Sequence, residues 1–551
     1  MKEKNGWIKE ILFQLILVIS ASLLFTLSFP NPVFNNGLPF LAWFCYIPML
    51  LVIQKNGFLP CLGWGAVYGL SAYFLFNHWL ITFHPAAGAV VYSVYLFYLA
   101  VLFLLFRFSI LLFPKKYYIV QWIIWLGYEY LRTLGFLGYP YGITGYSQWR
   151  IIPLIQIAGI TGVWGVSALV TFPSFFIAAA LKDLSFKNVK RQAAAVLKAF
   201  LKRELIPACL FLAALTAALI FGFTRNVDFS GSPSVKIALI QHNSDPWEAH
   251  NFSTSWQIHD AYRKDFTILR ELSQKAIADE PELDLVVWPE TAFVPRIYWH
   301  STYRDNQDLW NIVKDLLEYL SGKEIPFLIG NDDTRMDPEK NPNARENFQV
   351  SYNSALLFKR GEIAEIYRKN HLVPFTEHFP YKKQFPVIYD LLLEEDTHFW
   401  EKGNEQTIFK LPGFSFAAPI CFEDAFGYIS RNFVLNGADV LVNLTNDAWA
   451  KSLSAQNQHL STSVFRAVEN HRPMVRSTVS GQTCAIDPSG RVISISPAFT
   501  QSFLNVSVPL VGKKTFYTLY GDYLGITFAA AAIILLLSGS IWYIIGKYKK
   551  E

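Results

Sequence analysis

The sequence predicts a polytopic α-helical membrane bundle of about eight spans joined to an α/β domain. Three observations predict it. Hydrophobic residues make up 52% of the 551-residue chain and charged residues only 17%, where soluble proteins carry about a quarter. Runs of about twenty mostly apolar residues recur, the length a helix needs to cross roughly 30 Å of hydrocarbon. Between the last two runs, over 225–522, strand and helix patterns alternate, which argues for α/β layers.

The apolar runs lie near 11–29, 37–54, 58–81, 88–113, 117–137, 151–181, 205–224 and 523–546. Three parts follow: an N-terminal membrane domain of seven transmembrane helices at 1–224, a catalytic domain at 225–522, and a last span with its tail at 523–551. The first run ends in Pro30-Asn31-Pro32 without an Ala-x-Ala site, so it reads as a span and not a leader. Basic residues set the orientation. One alternate set of loops carries Lys55, Lys115, Lys116, Lys187, Lys190 and Arg191, with Lys2 and Lys4 before and Lys547 and Lys549 after; the other set has Arg150 and little else. Both termini are therefore expected in the cytoplasm and the insert outside it. Glu129 and Arg132 fall within a span, where charges are costly; they read as a structural pair or a headgroup contact.

In the insert, strands are expected at 235–240, 283–288, 327–330, 354–358, 362–367, 414–420, 440–444, 473–480 and 483–486, with helices at 261–278 and 309–320. Turns fall at Lys359-Arg360-Gly361 and at Asp487-Pro488-Ser489-Gly490. A net charge of +5 is no nucleic-acid signal. The five cysteines show no zinc-type spacing, so neither metal nor cofactor is expected. His371 and His378 also lack metal spacing.

Three chemically apt residues end separate strand-like runs: Glu290 of Trp-Pro-Glu, Lys369 of Tyr-Arg-Lys, and Cys421 of Ala-Pro-Ile-Cys-Phe-Glu. Alone, each has a plain reading as a surface charge or a small buried hydrophobe. Together at one sheet edge, where α/β folds place their sites, they can perform acyl transfer. A thiol needs a base or a positive field to become a nucleophile. Glu290 can take its proton and Lys369 can stabilise thiolate and oxyanion, with Glu377 and Glu423 in support.

These motifs, with Asn370-His371-Leu372-Val373-Pro374-Phe375 after Lys369, resemble the nitrilase (carbon–nitrogen hydrolase) superfamily. The resemblance implies an αββα sandwich with a Glu-Lys-Cys triad. Seven spans before such a domain and one after it resemble the apolipoprotein N-acyltransferase family of bacterial lipoprotein maturation. Glu129-Tyr130-Leu131-Arg132, Gly145-Tyr146-Ser147-Gln148, Asn446-Asp447-Ala448-Trp449, Arg472-Pro473 and Tyr520-Gly521-Asp522 match that family too. Ala450-Lys451 departs from its usual Phe-Gly, and Phe422 from its usual Tyr.

The resemblance implies a ping-pong reaction in the bacterial cytoplasmic (inner) membrane. Cys421 takes the sn-1 acyl chain of a phospholipid as a thioester, then yields it to the α-amine of a diacylglyceryl apolipoprotein. A backbone N–H near Phe422 is expected to assist Lys369. Trp247 reads as lining the entry or as packing. The aromatic segment 375–400, with Phe379 and Tyr381, reads either as a lid dipping into the membrane interface or as a packed loop. Two other functions fit the residues less well: a membrane-anchored amidase acting on a small amide, and a non-catalytic lipid-binding protein.

Overall fold

The computed structural model describes residues 2–83, 85–182, 198–225, 228–245, 254–336, 349–394 and 399–548. The chain divides into two compact units, one of Met1–Asn226 with Asp522–Glu551 and one of Val227–Gly521.

The first unit is helical. Among the described residues, six helices are long and apolar enough to cross a membrane: Gly6–Ser28, Phe58–Phe76, Ala87–Leu112, Val163–Leu181, Leu205–Thr224 and Tyr523–Lys547. The expected run at 37–54 is instead a short 3-10 turn, Pro39–Trp43, followed by a nine-residue helix, Ile47–Lys55. The run at 117–137 is helical only to Leu131, and the run at 151–181 breaks at Gly162, whose φ is +63°. Polar groups inside this unit bond locally, as burial in an apolar medium demands. Ser22 meets Ser71 at 2.7 Å and Tyr46 meets Thr144 at 2.6 Å.

The second unit holds twelve strands. They are β1 (Ser234–Gln241), β2 (Leu285–Val287), β3 (Phe327–Met336), β4 (Gln349–Lys359), β5 (Glu362–Arg368), β6 (Phe409–Leu411), β7 (Phe414–Ala417), β8 (Val440–Thr445), β9 (Met474–Thr478), β10 (Cys484–Ile486), β11 (Val492–Ile495) and β12 (Ser502–Pro509). They form two six-stranded sheets, ordered β12-β1-β2-β3-β4-β5 and β11-β10-β9-β8-β7-β6. In the first, β1, β2 and β3 run parallel; in the second, β7, β8 and β9 do. The sheets face each other: Ser477 Oγ on β9 donates to the carbonyls of Ile240 and Val287 at 2.9 and 3.2 Å.

Helices cover the outer faces, which completes an αββα sandwich. Ser255–Asp279 and Gln307–Ser321 bury Phe266, Leu269, Ile312 and Leu316 against Ile240, Val286 and Ile329 of the first sheet. The first of these helices starts with a capping box between Thr254 and Gln257. Both turns read from the sequence are present. The β4–β5 hairpin places Arg360 and Gly361 at φ +51° and +82°, and Gly490 closes β10–β11 at +84°. Sequence patterning did not signal the strands β6 and β12 or the helices Gly427–Leu435 and Leu453–Asn470. The last is buried along nearly its whole length although most of its residues are polar, and its apolar positions Leu460, Val464, Ala467 and Val468 make only a short stripe toward its C-terminal end.

Candidate active site

Strand direction brings the pocket together. Glu290 follows β2 through Trp288-Pro289, Lys369 follows β5, Cys421 follows β7, and Asn446 follows β8. Pro289 and Pro419 stop regular pairing just before the loops that carry the acid and the thiol.

Glu290 is 5% exposed. Its Oε1 accepts from Asn353 Nδ2 on β4 at 2.8 Å and lies 3.4 Å from Lys369 Nζ, while its Oε2 accepts the Asn446 N–H at 2.8 Å. Lys369 is fully buried and donates from Nζ to Glu377 Oε1 at 2.8 Å. Burial disfavours its charge, but Glu377, Glu290 and Cys421 together hold the ammonium above the usual lysine range. Glu377 in turn accepts the Val373 N–H at 2.9 Å. Burial pushes its carboxyl up, against the pull of Lys369.

Cys421 opens a short 3-10 turn, Cys421–Ala425, with φ at +50°. That left-handed conformation is costly for a residue with a Cβ and recurs at functional turns. The residue as a whole is half-buried. Burial and then Glu290 push it well above its ordinary pKa, Lys369 opposes them, and the Thr445 hydroxyl hydrogen bonds to it. At rest the sulfur is therefore neutral, and its activation requires a base. Cys421 and Cys484 are both free thiols.

Glu423 does not touch the Lys369 side chain. It is fully buried and binds backbone instead. The N–H groups of Asn370, His371 and Ile420 donate to it at 2.7, 2.9 and 2.8 Å, and the Tyr367 hydroxyl donates at 2.8 Å. One carboxylate thus ties the loop that bears Lys369 to the turn that bears Cys421. Burial pushes its carboxyl up, and the backbone donors oppose that.

The remaining expected residues are placed less uniformly. Phe422 is buried edge-on against Phe426 at 5.0 Å. Phe379 is 7% exposed and packs on Phe375 at 5.7 Å, whereas Tyr381 is 40% exposed. Trp247 lies outside the described residues. His371 stacks on Phe426 at 4.0 Å and bonds the Tyr428 hydroxyl. Glu129 and Arg132 do not form an ion pair. Glu129 accepts from Trp125 and Thr144, while Arg132 donates to Tyr95 and to the carbonyls of Tyr139 and Tyr141.

A buried ionic cluster behind the thiol was not foreseen. His459 on the helix Leu453–Asn470 bonds Asp447 Oδ1 at 2.8 Å and Asp424 Oδ1 at 2.7 Å, and Arg476 on β9 bonds both acids. Burial opposes charge on His459, but the two acids raise its pKa to about 9. Thr445, which bonds the thiol, lies 3.4 Å from Asp447 Oδ1. The sequence signal for it was the Asn446-Asp447 motif. No group of three or more His, Cys, Asp or Glu among the described residues is placed to hold a metal ion.

This arrangement supplies a thiol, a carboxylate that acts on it electrostatically, and a buried cation, which is the equipment for covalent acyl transfer. Comparison with known proteins places the chain in a family. Residues 236–512 match the family model of the carbon–nitrogen hydrolases, and residues 21–176 match that of the apolipoprotein N-acyltransferase N-terminal domain. The chain is 41% identical to apolipoprotein N-acyltransferase 1 of Treponema denticola, covering 98% of this chain and 97% of that one. It is 42% identical to apolipoprotein N-acyltransferase 1 of Treponema pallidum over 97% of each, and 31% identical to the apolipoprotein N-acyltransferase of Geobacter metallireducens over 95% of each. Two domain models in order and near-complete coverage leave one assignment: the chain belongs to the apolipoprotein N-acyltransferase family.

Proposed function

We propose that the chain N-acylates lipoproteins, taking an sn-1 acyl group from a membrane phospholipid and delivering it to the α-amine of an S-diacylglyceryl cysteine. The observation that carries this reading is the shared pocket in which Lys369 Nζ lies 2.8 Å from Glu377 and 3.4 Å from Glu290, with Cys421 under the electrostatic influence of both Lys369 and Glu290.

Glu290 accepts the proton from Cys421 Sγ, and the thiolate attacks the sn-1 ester carbonyl. Lys369 stabilises the oxyanion, a contribution of about 3–4 kcal/mol where one such donor has been removed. Collapse expels the sn-1 alkoxide, which regains the proton from Glu290 and leaves as a lysophospholipid. The neutral α-amine then attacks the thioester and gives its proton to Glu290. The thiolate departs and is reprotonated, and the acceptor carries a new amide. Water must be excluded while the thioester waits.

In this reading 1–224 and 523–551 are membrane segments and 225–522 is the catalytic domain. The basic loops support cytoplasmic termini, a catalytic domain on the far side, and residence in the bacterial inner membrane. Segment 375–400 would form a lid at the interface. Supporting it, Phe385, Val387 and Leu393 are 53%, 79% and 46% exposed, around the helix Pro386–Glu394.

The test is to supply purified protein with phosphatidylethanolamine and a synthetic diacylglyceryl lipopeptide. The account expects an amide-linked third chain on the lipopeptide and none with Cys421→Ser. Release of free fatty acid alone would instead favour a hydrolase.

A further inference from the structure

The helical unit contains a feature that thioester chemistry does not use. A cavity of about 360 Å³ lies between the helices Pro85–Leu112, Tyr117–Leu131 and Tyr523–Tyr548. Each helix contributes a strip of about two turns, at 98–105, 124–131 and 529–536, so the slot is about 10 Å long at the rise of an α-helix. Its walls are aliphatic, with Leu102, Leu105, Ile124, Ala532 and Leu536. Gly127 lets two helices close on it, since a Cβ there would lie 3.0 Å from Cα of Ala529. Val101, Leu131 and Ile533 also line it and are each about half exposed, so the slot opens sideways from the bundle.

The polar groups gather at one end. The helices Pro85–Leu112 and Tyr117–Leu131 are joined by a four-residue turn and so run in opposite directions. Tyr98, early in its strip, and Arg132, at the end of its own, therefore share that end. Arg132 is 4% exposed. Its Nη1 donates to Tyr95 Oη at 2.7 Å and to the carbonyls of Tyr139 and Tyr141 at 3.3 and 3.0 Å, but its Nε has no partner. Among the described residues no carboxylate forms an ion pair with it, and Glu129 does not line the slot. The rings of Tyr73, Tyr95 and Tyr128 lie 5.8, 5.5 and 5.9 Å from the guanidinium and offset part of its charge, yet inside a membrane segment it has no anion in contact, which leaves room for one.

We infer that this slot binds a phospholipid, with one acyl chain along the aliphatic strip and the phosphodiester at Arg132. Charge complementarity names the phosphate, because a planar guanidinium with a free donor suits it. The sideways opening between apolar walls names a lipid as its source, since a soluble anion would have to cross hydrocarbon to arrive. The inference rests on these helices lying in a membrane and is independent of the chemistry at Cys421.

The experiment uses full-length Cys421→Ala protein, which cannot be acylated there, and reads lipid binding by native mass spectrometry. Palmitoyl-oleoyl phosphatidylglycerol is expected to bind at a saturable site in the slot besides the catalytic pocket, and Arg132→Gln should weaken that component alone at least about tenfold, the loss of a charge-assisted contact. Ala532→Trp fills the slot without touching a ligand of Arg132 and should weaken it as much, which decides the matter if Arg132→Gln does not fold. Undiminished binding in either folded variant would overturn the inference. So would equal binding of dioleoylglycerol, which lacks the phosphate, or displacement by millimolar inorganic phosphate. Loss of this site with acyl-enzyme formation intact would leave the acyl-transfer reading standing, and the reverse also holds.

Discussion

The Nζ of Lys369 lies 3.4 Å from Oε1 of Glu290, with the lysine side chain fully buried and the glutamate 6% exposed. Glu377 holds the same ammonium at 2.8 Å. Two carboxylates, Glu290 buried and Glu377 nearly so, thus share one cation, and a thiolate at Cys421 would add a third negative charge. The pocket keeps the thiol neutral until a substrate carbonyl can accept the charge.

Lys369→Met should then do two things. It removes the oxyanion partner, so thioester formation should fall about 10²–10³-fold. It also strands both carboxylates, which should cost roughly 3–5 kcal/mol of stability. Single-turnover acylation and urea unfolding measure the two effects, and a variant as stable as the parent would contradict the shared-cation reading.

Glu290→Gln separates proton transfer from architecture. The amide oxygen can still accept the Asn446 N–H, but it cannot take a proton. Thioester formation should drop about 10²–10⁴-fold, and stability should fall by about 1–3 kcal/mol because the amide NH2 then faces Asn353 Nδ2 and Lys369 Nζ, both donors. A drop confined to stability would assign Glu290 a structural role only.

Glu423→Ala should damage both stability and activity, because it orphans the N–H groups of Asn370, His371 and Ile420. Each buried unsatisfied donor costs about 1–3 kcal/mol. Glu423→Gln, which keeps an acceptor oxygen, should cost less than Glu423→Ala. Equal losses from the two variants would mean that the negative charge matters and the tether does not.

His459 predicts a pH dependence. Its folded pKa of about 9 stands above its ordinary 6.5, so the stabilisation is complete below about pH 6.5 and is lost as pH rises through about 9. The amount is on the order of 3 kcal/mol. Unfolding measured between pH 6 and 10 should show this decline in the parent and a flatter profile in His459→Gln. Parallel profiles would remove the imidazolium from the account.

The exposed apolar side chains near 385–393 give a prediction about the donor. Replacing Phe385 and Val387 with Ser should slow acylation from vesicle phospholipid at least about tenfold, while leaving a detergent-dispersed short-chain donor nearly unaffected. Equal rates on both donors would make the segment an ordinary loop. Phe379, packed on Phe375, is the weaker probe, because its loss also disturbs the fold.

Apolar run length made the bundle legible, and strand-end motifs made Glu290, Lys369 and Cys421 legible. Both signals are local in the chain. The supporting groups were not local. Asn353 comes from the middle of β4, and His459 comes from a polar helix that is buried because Asp424, Asp447 and Arg476 neutralise it. Glu423 was found as a neighbour of the thiol, but its task as a backbone tether depends on one loop, at Asn370 and His371, 53 and 52 residues away. The Glu129–Arg132 spacing suggested a pair one turn apart, yet folding gave each residue other partners.

The most direct test of the central claim is the intact mass of the purified protein after incubation with phosphatidylethanolamine, beside Cys421→Ala. The account predicts a fatty-acyl increment on the parent alone, removed by hydroxylamine as a thioester should be. No increment on a protein whose Cys421 still alkylates and which still binds the lipid would contradict it.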